Sequence, residues 1–363
     1  MSNDPGDVSP RKRLTLVTLA RDLGVSTATV SNAYNRPDQL SPALRARVLA
    51  RAAELGFAGP DPMARGLRRG RVGAVGVLVD EGLSYAFSDP TAVLLLDGLA
   101  RELEADGLGL LLHAAHAGED VARIRDAAVD AWVVQSLPEG SPAVDAARSR
   151  NRPLVVLDQP AVPGSPLVGI DDVAGASAAV AHLTALGHRR ITVVTMPLRP
   201  DGRSGPAGGA RQAEVSYPVM RRRLAGAAAA AVAAGLEWAR VPVLECTANT
   251  PSSAADVLAP VLAGPGAPTA VVALSDQLAL GALRAAATAG LAVPGALSVV
   301  GFDDSPAAAG AEPPLTTVAQ PLRDRGSEVG ALVRALLRGE QVASPPPRPV
   351  HLVVRGSTAP PAG

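Results

Sequence analysis

The polar residues best placed for chemistry in this chain stand just beyond short runs of β-branched residues. Ser136 follows AWVVQ, Asp158 and Gln159 follow LVVL, Ser275 and Asp276 follow AVVAL, and Asp303 and Asp304 follow LSVVGF. Carboxylates, hydroxyls and an amide at strand ends can hold a small polar ligand by hydrogen bonds. Tyr85 and Phe87, just after the first such run, are the aromatics best placed to stack on that ligand, from only eight in the chain. None of this forms a catalytic set. No Ser/His/Asp arrangement, nucleophile elbow or Walker loop can be assembled. The glycines of GRVGAVG at 70–76 come before and within a strand, whereas a dinucleotide loop joins strand to helix. The five histidines show no metal spacing, His113 and His116 included, and the single cysteine excludes an intrachain disulfide. The chain therefore reads as a binding protein and not an enzyme, with no catalytic residue, cofactor or metal.

The elements that must position these residues alternate. VGAVGVLV, LGLLLHA, AWVVQ, LVVLD, ITVVT, VPVLEC, AVVALS and LSVVGFD are short apolar runs separated by amphipathic helical stretches. Such runs are parallel strands buried on both faces. The roughly 290 residues from Val72 exceed one small sheet and suggest two α/β lobes. The segment 197–219 is rich in Gly, Pro and Arg and longer than an ordinary connection. It is either a lid over the ligand or a loose insert.

The first 60 residues are of another kind. Leu16, Leu19, Ala20 and Leu23 mark one apolar helix face, Gly24 supplies a tight turn, and Ser26 can cap a second helix. On that second helix Val30 and Ala33 point inward. Thr27, Ala28, Ser31 and Asn32 share the opposite face, with side chains short enough for a groove wall to come close. Ser41 and Pro42 open a third helix with a stripe of Leu44, Val48, Ala52 and Leu55. The pattern predicts an all-α helix-turn-helix head. Charge supports it: residues 1–71 hold twelve Lys and Arg against six Asp and Glu, while the whole chain nets zero. A basic head on an acidic body is the electrostatic footprint of phosphate binding.

TLARDLGVSTATVSNAYN, LSPALRARVLARAAELGF and PMARGLRRGRVGAVGVLV, in that order, closely resemble the N-terminus of LacI/GalR-type bacterial transcriptional regulators. The resemblance runs to about Arg355 through LVVLDQP at 154–160, VGIDD at 168–172, ALGHRRI at 185–191, RLAG at 223–226, SDQLALGALRA at 275–285, SVVGFDD at 298–304 and PPLTTVAQP at 313–321.

It implies a two-lobed, periplasmic-binding-protein-like core with parallel sheets, crossed three times by the chain. The organisation expected is an arm at 1–13, the DNA-binding head at 14–60, a hinge at 61–71, a core at 72–356 and a tail at 357–363. Within the core, lobe 1 would be about 72–168 and 302–328, and lobe 2 about 169–300 and 330–356.

The resemblance also implies roles. Thr27, Ala28 and Asn32 would read bases in the major groove, while Ser26, Thr29, Ser31 and Asn35 hold phosphates or cap. In the hinge, Leu67 would wedge into a minor-groove step and Arg65 would meet phosphates. Arg223, Asp303 and Gln320 would join Tyr85, Phe87, Ser136, Asp158 and Ser275 around a small polar effector, a sugar or related metabolite. Sugar-responsive members often carry Asn where Ser275 stands, so that contact differs here.

The expected protein is a cytoplasmic regulator, most simply a repressor, that binds a palindromic double-stranded DNA operator as a homodimer under effector control. A transport-type binding protein would share the core but need a signal peptide, which MSNDPGDVSPRKR does not resemble. No stretch is long enough for a membrane span, so no membrane partner is expected.

Overall fold

The computed structural model describes residues 15–59, 71–115 and 121–362. The expected arm, and the expected hinge with Arg65 and Leu67, lie outside the described residues apart from Arg71. The chain divides between Val72 and Gly73 into two compact units.

The first unit is a three-helix head. Helix α1 (Leu16–Leu23) starts where Thr15 accepts from the Thr18 N–H and stops at Gly24, whose φ of 66° suits glycine. Helix α2 (Thr27–Asn35) is capped by Ser26, and α3 (Pro42–Glu54) by Ser41. Leu19, Ala20, Val30, Ala33, Val48 and Ala52 are buried together and form its core. Tyr34 and Phe57 close one side edge-to-face, with ring centres 6.1 Å apart.

The second unit holds two sheets. The first has the order β2-β1-β3-β4-β5, all parallel, from β1 (Ala74–Val79), β2 (Gly109–Ala114), β3 (Ala131–Gln135), β4 (Leu154–Leu157) and β5 (Leu167–Val168). A short helix, α4 (Leu83–Ser88), and a long one, α5 (Pro90–Glu104), follow β1; α6 (Val121–Asp126) and α7 (Pro142–Arg148) follow β2 and β3.

The second sheet has seven strands in the order β12-β11-β10-β9-β6-β8-β7. Its parallel centre is β6 (Ile191–Thr195), β8 (Val243–Glu245), β9 (Ala270–Ala273), β10 (Ser298–Asp303) and β11 (Thr316–Ala319). The edges β7 (Gly205–Pro206) and β12 (His351–Val353) are antiparallel. Helices α8 (Asp172–Ala185), α9 (Gly209–Ala213), α10 (Pro218–Ala233), α11 (Pro251–Leu262), α12 (Asp276–Thr288) and α13 (Pro306–Ala309) belong to this lobe, and α14 (Leu322–Leu337) follows β11.

Two expectations are corrected. Residues 302–319 were expected in lobe 1, but β10 ends and β11 pairs beside it in the second sheet. Residues 330–337 were expected in lobe 2, but they belong to α14, which buries Leu322, Val329 and Val333 with Leu95, Leu99 and Leu103 of α5. The crossing therefore falls near Gln320. TTVA is too short and too hydroxyl-rich to stand out as a strand, which hid β11. The α5–α14 contact is close because of glycine. A Cβ on Gly326 would lie 2.0 Å from the Leu95 carbonyl oxygen, and one on Gly98 2.0 Å from that of Arg323.

The tail from 357 is also tied down. Ser357 is fully buried, its hydroxyl donating to Val299 O at 2.6 Å and accepting from Thr316 N–H at 2.8 Å. Buried His188 reaches Ala359 O (2.9 Å), Ser298 Oγ (3.1 Å) and Thr269 Oγ1 (2.9 Å), so a polar ending is packed because the sheet end offers it partners. The insert at 197–219 is folded, which removes the loose-insert alternative. It contributes β7 and α9, and its Arg211 is buried against Glu245 (2.7 Å) and Asp201 (2.7 Å).

Candidate nucleic-acid interface and ligand cleft

On the head, Thr27 and Ala28 stand exposed in the first turn of α2. Asn32, one turn later, is half-buried and donates Nδ2 to Gln39 Oε1 at 3.2 Å. Ser26 Oγ accepts from Thr29 N–H at 3.0 Å and lies 2.8 Å from Thr29 Oγ1, while Asn35 Nδ2 donates to Ser31 Oγ at 3.2 Å. The surface thus carries two open short side chains, one oriented amide, a Ser26–Thr29 hydroxyl pair at the helix N-terminus, where backbone N–H groups favour an anion, and a Ser31–Asn35 pair further along.

In the core, the carboxyl ends of both sheets carry strained backbone. Ser136 (φ 57°), Asp158 (φ 72°), Asp303 (φ 125°) and Asp304 (φ 54°) all follow or end a strand in the left-handed region, which non-glycine residues avoid. Their side chains are linked. Ser136 Oγ donates to Asp158 Oδ2 at 3.3 Å, and Asp158 forms an ion pair with buried Arg325 of α14. Arg325 Nη1 also donates to Gln320 Oε1 at 2.5 Å, and Gln320 Nε2 to Asp303 Oδ1 at 2.7 Å. Asp303 Oδ2 accepts from Asp276 N–H at 3.3 Å. The chain of contacts therefore runs from lobe 1 to lobe 2 through Gln320, the residue at the crossing.

Arg223 of α10 completes it. Its Nε donates to Asp172 Oδ1 (2.9 Å), its Nη1 to Leu274 O (2.7 Å), and Nη1 lies 3.9 Å from Asp303 Oδ1. The guanidinium sits 3.7 Å over the Phe302 ring. Burial and then the nearby Asp276 push the Asp303 carboxyl well above the ordinary carboxylate range. Burial likewise raises Asp276 to about 6, although Thr317 Oγ1 (2.6 Å) and the Ser305 N–H (2.7 Å) donate to it.

A second polar group bridges the lobes. Ser275 caps α12 and donates its hydroxyl to Asn249 Oδ1 at 2.5 Å; Asn249 Nδ2 then donates to the Tyr85 hydroxyl at 2.7 Å. Burial raises the Tyr85 phenol far above its ordinary value, so it stays protonated.

Of the residues singled out in the core, Ser136, Asp158, Arg223, Asp303 and Gln320 meet in one network, and Ser275 and Tyr85 in the other. Phe87 joins neither: it lies on α4, not in an open loop, and exposes 70% of its surface. Phe302 is buried beneath Arg223 and offers no open face for stacking. Asp171 is the α8 cap, but Asp172 is buried and takes both Arg222 (2.8 Å) and Arg223.

Asn249 and Arg325 were missed. Asn249 lies four residues after β8, where a wider strand-end search would find it. Arg325 lies in the first turn of α14, beyond a short strand that the sequence hides, and nothing local marks it. Among the described residues no group of three or more His, Cys, Asp or Glu could hold a metal ion, and no helix is long and apolar enough to cross a membrane.

Residues 180–358 match the model of the periplasmic binding protein-like domain. The HTH-type transcriptional regulator Rv3575c of Mycobacterium tuberculosis is 40% identical over 330 residues, covering 90% of this chain and 91% of that protein. A crystal structure of a LacI-family transcriptional regulator from Corynebacterium glutamicum is 32% identical and superposes with a TM-score of 0.73, covering 97% of this chain and 100% of that one. The Lac repressor dimer bound to operator and the anti-inducer ONPF is 25% identical, with a TM-score of 0.74 over 96% of this chain and 100% of that one. Helix-turn-helix head, two-lobed core and full-length likeness agree, and the chain belongs to the LacI family of transcriptional regulators.

Proposed function

We propose that this regulator is a repressor that binds a palindromic operator as a homodimer and is controlled by a small polar effector between its lobes. The observation that carries the reading is the polar network joining the carboxyl ends of both sheets, from Ser136 and Asp158 through Arg325, Gln320 and Asp303 to Arg223. Donors and acceptors from both lobes suit a polyhydroxylated ligand or sugar, whose hydroxyls both donate and accept. Effector would favour one lobe arrangement over the other, alter the hinges at 61–71, and so change operator affinity.

On DNA, Thr27, Ala28 and Asn32 would read base edges. Ser26, Thr29, Ser31, Asn35 and Arg65 would meet phosphates or cap, and Leu67 would wedge into the minor groove. Pairing of two heads is supported by lobe 1, where Leu83, Phe87, Val93 and Leu111 leave 42, 70, 41 and 39% of their surfaces exposed on α4, α5 and the edge strand β2. Apolar side chains on neighbouring elements favour self-association, and the Lac repressor neighbour is a dimer on its operator. A regulator acting on bacterial DNA would do so in the cytoplasm.

The test has two steps. Random-library selection with the full chain should return a two-fold symmetric site; an asymmetric or random pool would overturn the dimeric reader. A thermal-shift screen of sugars, nucleosides and other small metabolites should then find a compound that raises the melting temperature and changes affinity for that site. Loss of that response in Asp303→Ala, with operator binding kept, would place it in the cleft; a retained response would move the site elsewhere.

A further inference from the structure

Several bonds join the two lobes directly, residue to residue, and they cluster at the end of the folded insert. Tyr217, the residue before α10, donates its hydroxyl to Asp80 Oδ2 at 2.6 Å; Asp80 follows β1 of lobe 1. The Glu139 N–H, beyond β3, donates to Ser216 O at 2.8 Å. Arg221 Nη2 donates to Glu139 Oε2 at 2.6 Å, and the Val219 N–H to Gln159 Oε1 at 2.6 Å. One short stretch of lobe 2, residues 216–221, thereby grips the ends of three strands of lobe 1.

That stretch is itself braced from behind. Arg211 is 9% exposed and Glu245, at the end of β8, 1% exposed; they form two bonds, Nε to Oε2 at 2.8 Å and Nη2 to Oε1 at 2.7 Å. Arg211 also takes both oxygens of Asp201, at 2.7 and 2.8 Å, and Glu245 Oε1 accepts the Leu198 N–H at 2.7 Å. The start of the insert (Leu198 and Asp201) and its middle (Arg211) are therefore fixed to Glu245 of the second sheet, with the guanidinium held between two carboxylates, and the Ser216 N–H ties the far end back to Leu198 O at 2.8 Å.

We propose that residues 197–221 form a clasp, anchored on lobe 2 by Arg211 and Glu245, that sets the angle between the lobes by gripping lobe 1 through Tyr217–Asp80 and Arg221–Glu139. The inference rests on the reading above only in its consequence for DNA; the grip itself stands on the core alone. The two contacts differ in weight. Arg221 and Glu139 are each half exposed, and such pairs contribute little and are screened by salt. The Tyr217 bond ends on a carboxylate and comes from a ring 8% exposed, so it is the stronger hold.

The clasp is tested in the full-length protein by the distance between spin labels on Asp126→Cys and Ala239→Cys, one exposed site on each lobe. Labelled chain is diluted with unlabelled chain so that only distances within one subunit are read. The native Cys246 is buried, and burial pushes its thiol up to about 12, so it stays unlabelled.

Tyr217→Phe keeps the ring and removes only the hydroxyl. It should broaden or lengthen the distance distribution, and Arg221→Glu should do so less. Adding Glu139→Arg to Arg221→Glu should restore the native distribution. Distributions that superpose on wild type for both Tyr217→Phe and Arg221→Glu would overturn the clasp. Affinity for the site selected by the wild-type protein is measured on the same variants and should change by about 5-fold or more, the lower end of ordinary coupling between sites. A changed distance with unchanged affinity would leave the clasp standing and reject the coupling of lobe angle to DNA.

Discussion

On the second helix of the head, Asn32 already gives one amide hydrogen to Gln39. Its second hydrogen and its carbonyl oxygen remain to pair with an adenine edge. Replacing Asn32 by Ala should cost about 1–3 kcal/mol at one base position of each half-site, the worth of one bidentate pair. Binding to single-base variants of the selected operator checks this; an unchanged preference at every position would remove Asn32 from the readout. Asp303 is the corresponding residue in the core. Its carboxyl lies well above the ordinary range because it is buried and faces Asp276. A carboxyl raised on folding stabilises the fold fully below its unfolded value, near 4, and loses that contribution as pH rises through the folded value. Compared with Asp303→Asn, the wild type should therefore lose stability steadily as pH is raised from 4. Denaturant unfolding across that range measures it, and a flat difference between the two proteins would contradict the assignment.

Among the elements, strands and helices with clear periodicity were legible from the chain alone, and so were the caps at Ser26 and Ser41. What failed was the allotment of β11 and of the second half of α14 to their lobes. Both decisions depend on long-range packing. TTVA becomes a strand because β10 offers it an open edge, and α14 belongs to lobe 1 because its glycines let α5 approach. Gly326→Ala would place a methyl 2.0 Å from the Leu95 carbonyl oxygen, so the two helices must part. Overpacking of this kind costs about 1–3 kcal/mol or more. Chemical denaturation of the variant should show that loss; a stability within experimental error of wild type would mean that the crossing is looser than its geometry.

For the whole molecule, assembly is where the exposed residues matter most. Phe87 leaves more surface open than any other large apolar side chain among the described residues. Phe87→Asp should lower the dimer fraction in sedimentation and weaken operator binding, with little change in the thermal stability of the monomer; an unchanged dimer would place the interface elsewhere. By itself the sequence determined the class of head, the α/β core, and which strand ends carry polar residues. Each of these follows from local pattern: a capped helix beside a glycine turn, a β-branched run, the residue after it. Only the tertiary structure decided that Arg325 meets Asp158, that Asn249 extends the reach of Ser275, and that residues 216–221 bind the ends of three strands. These partners are separated by 26 to 167 positions in the chain, and no local pattern encodes a contact that exists only once both lobes have folded.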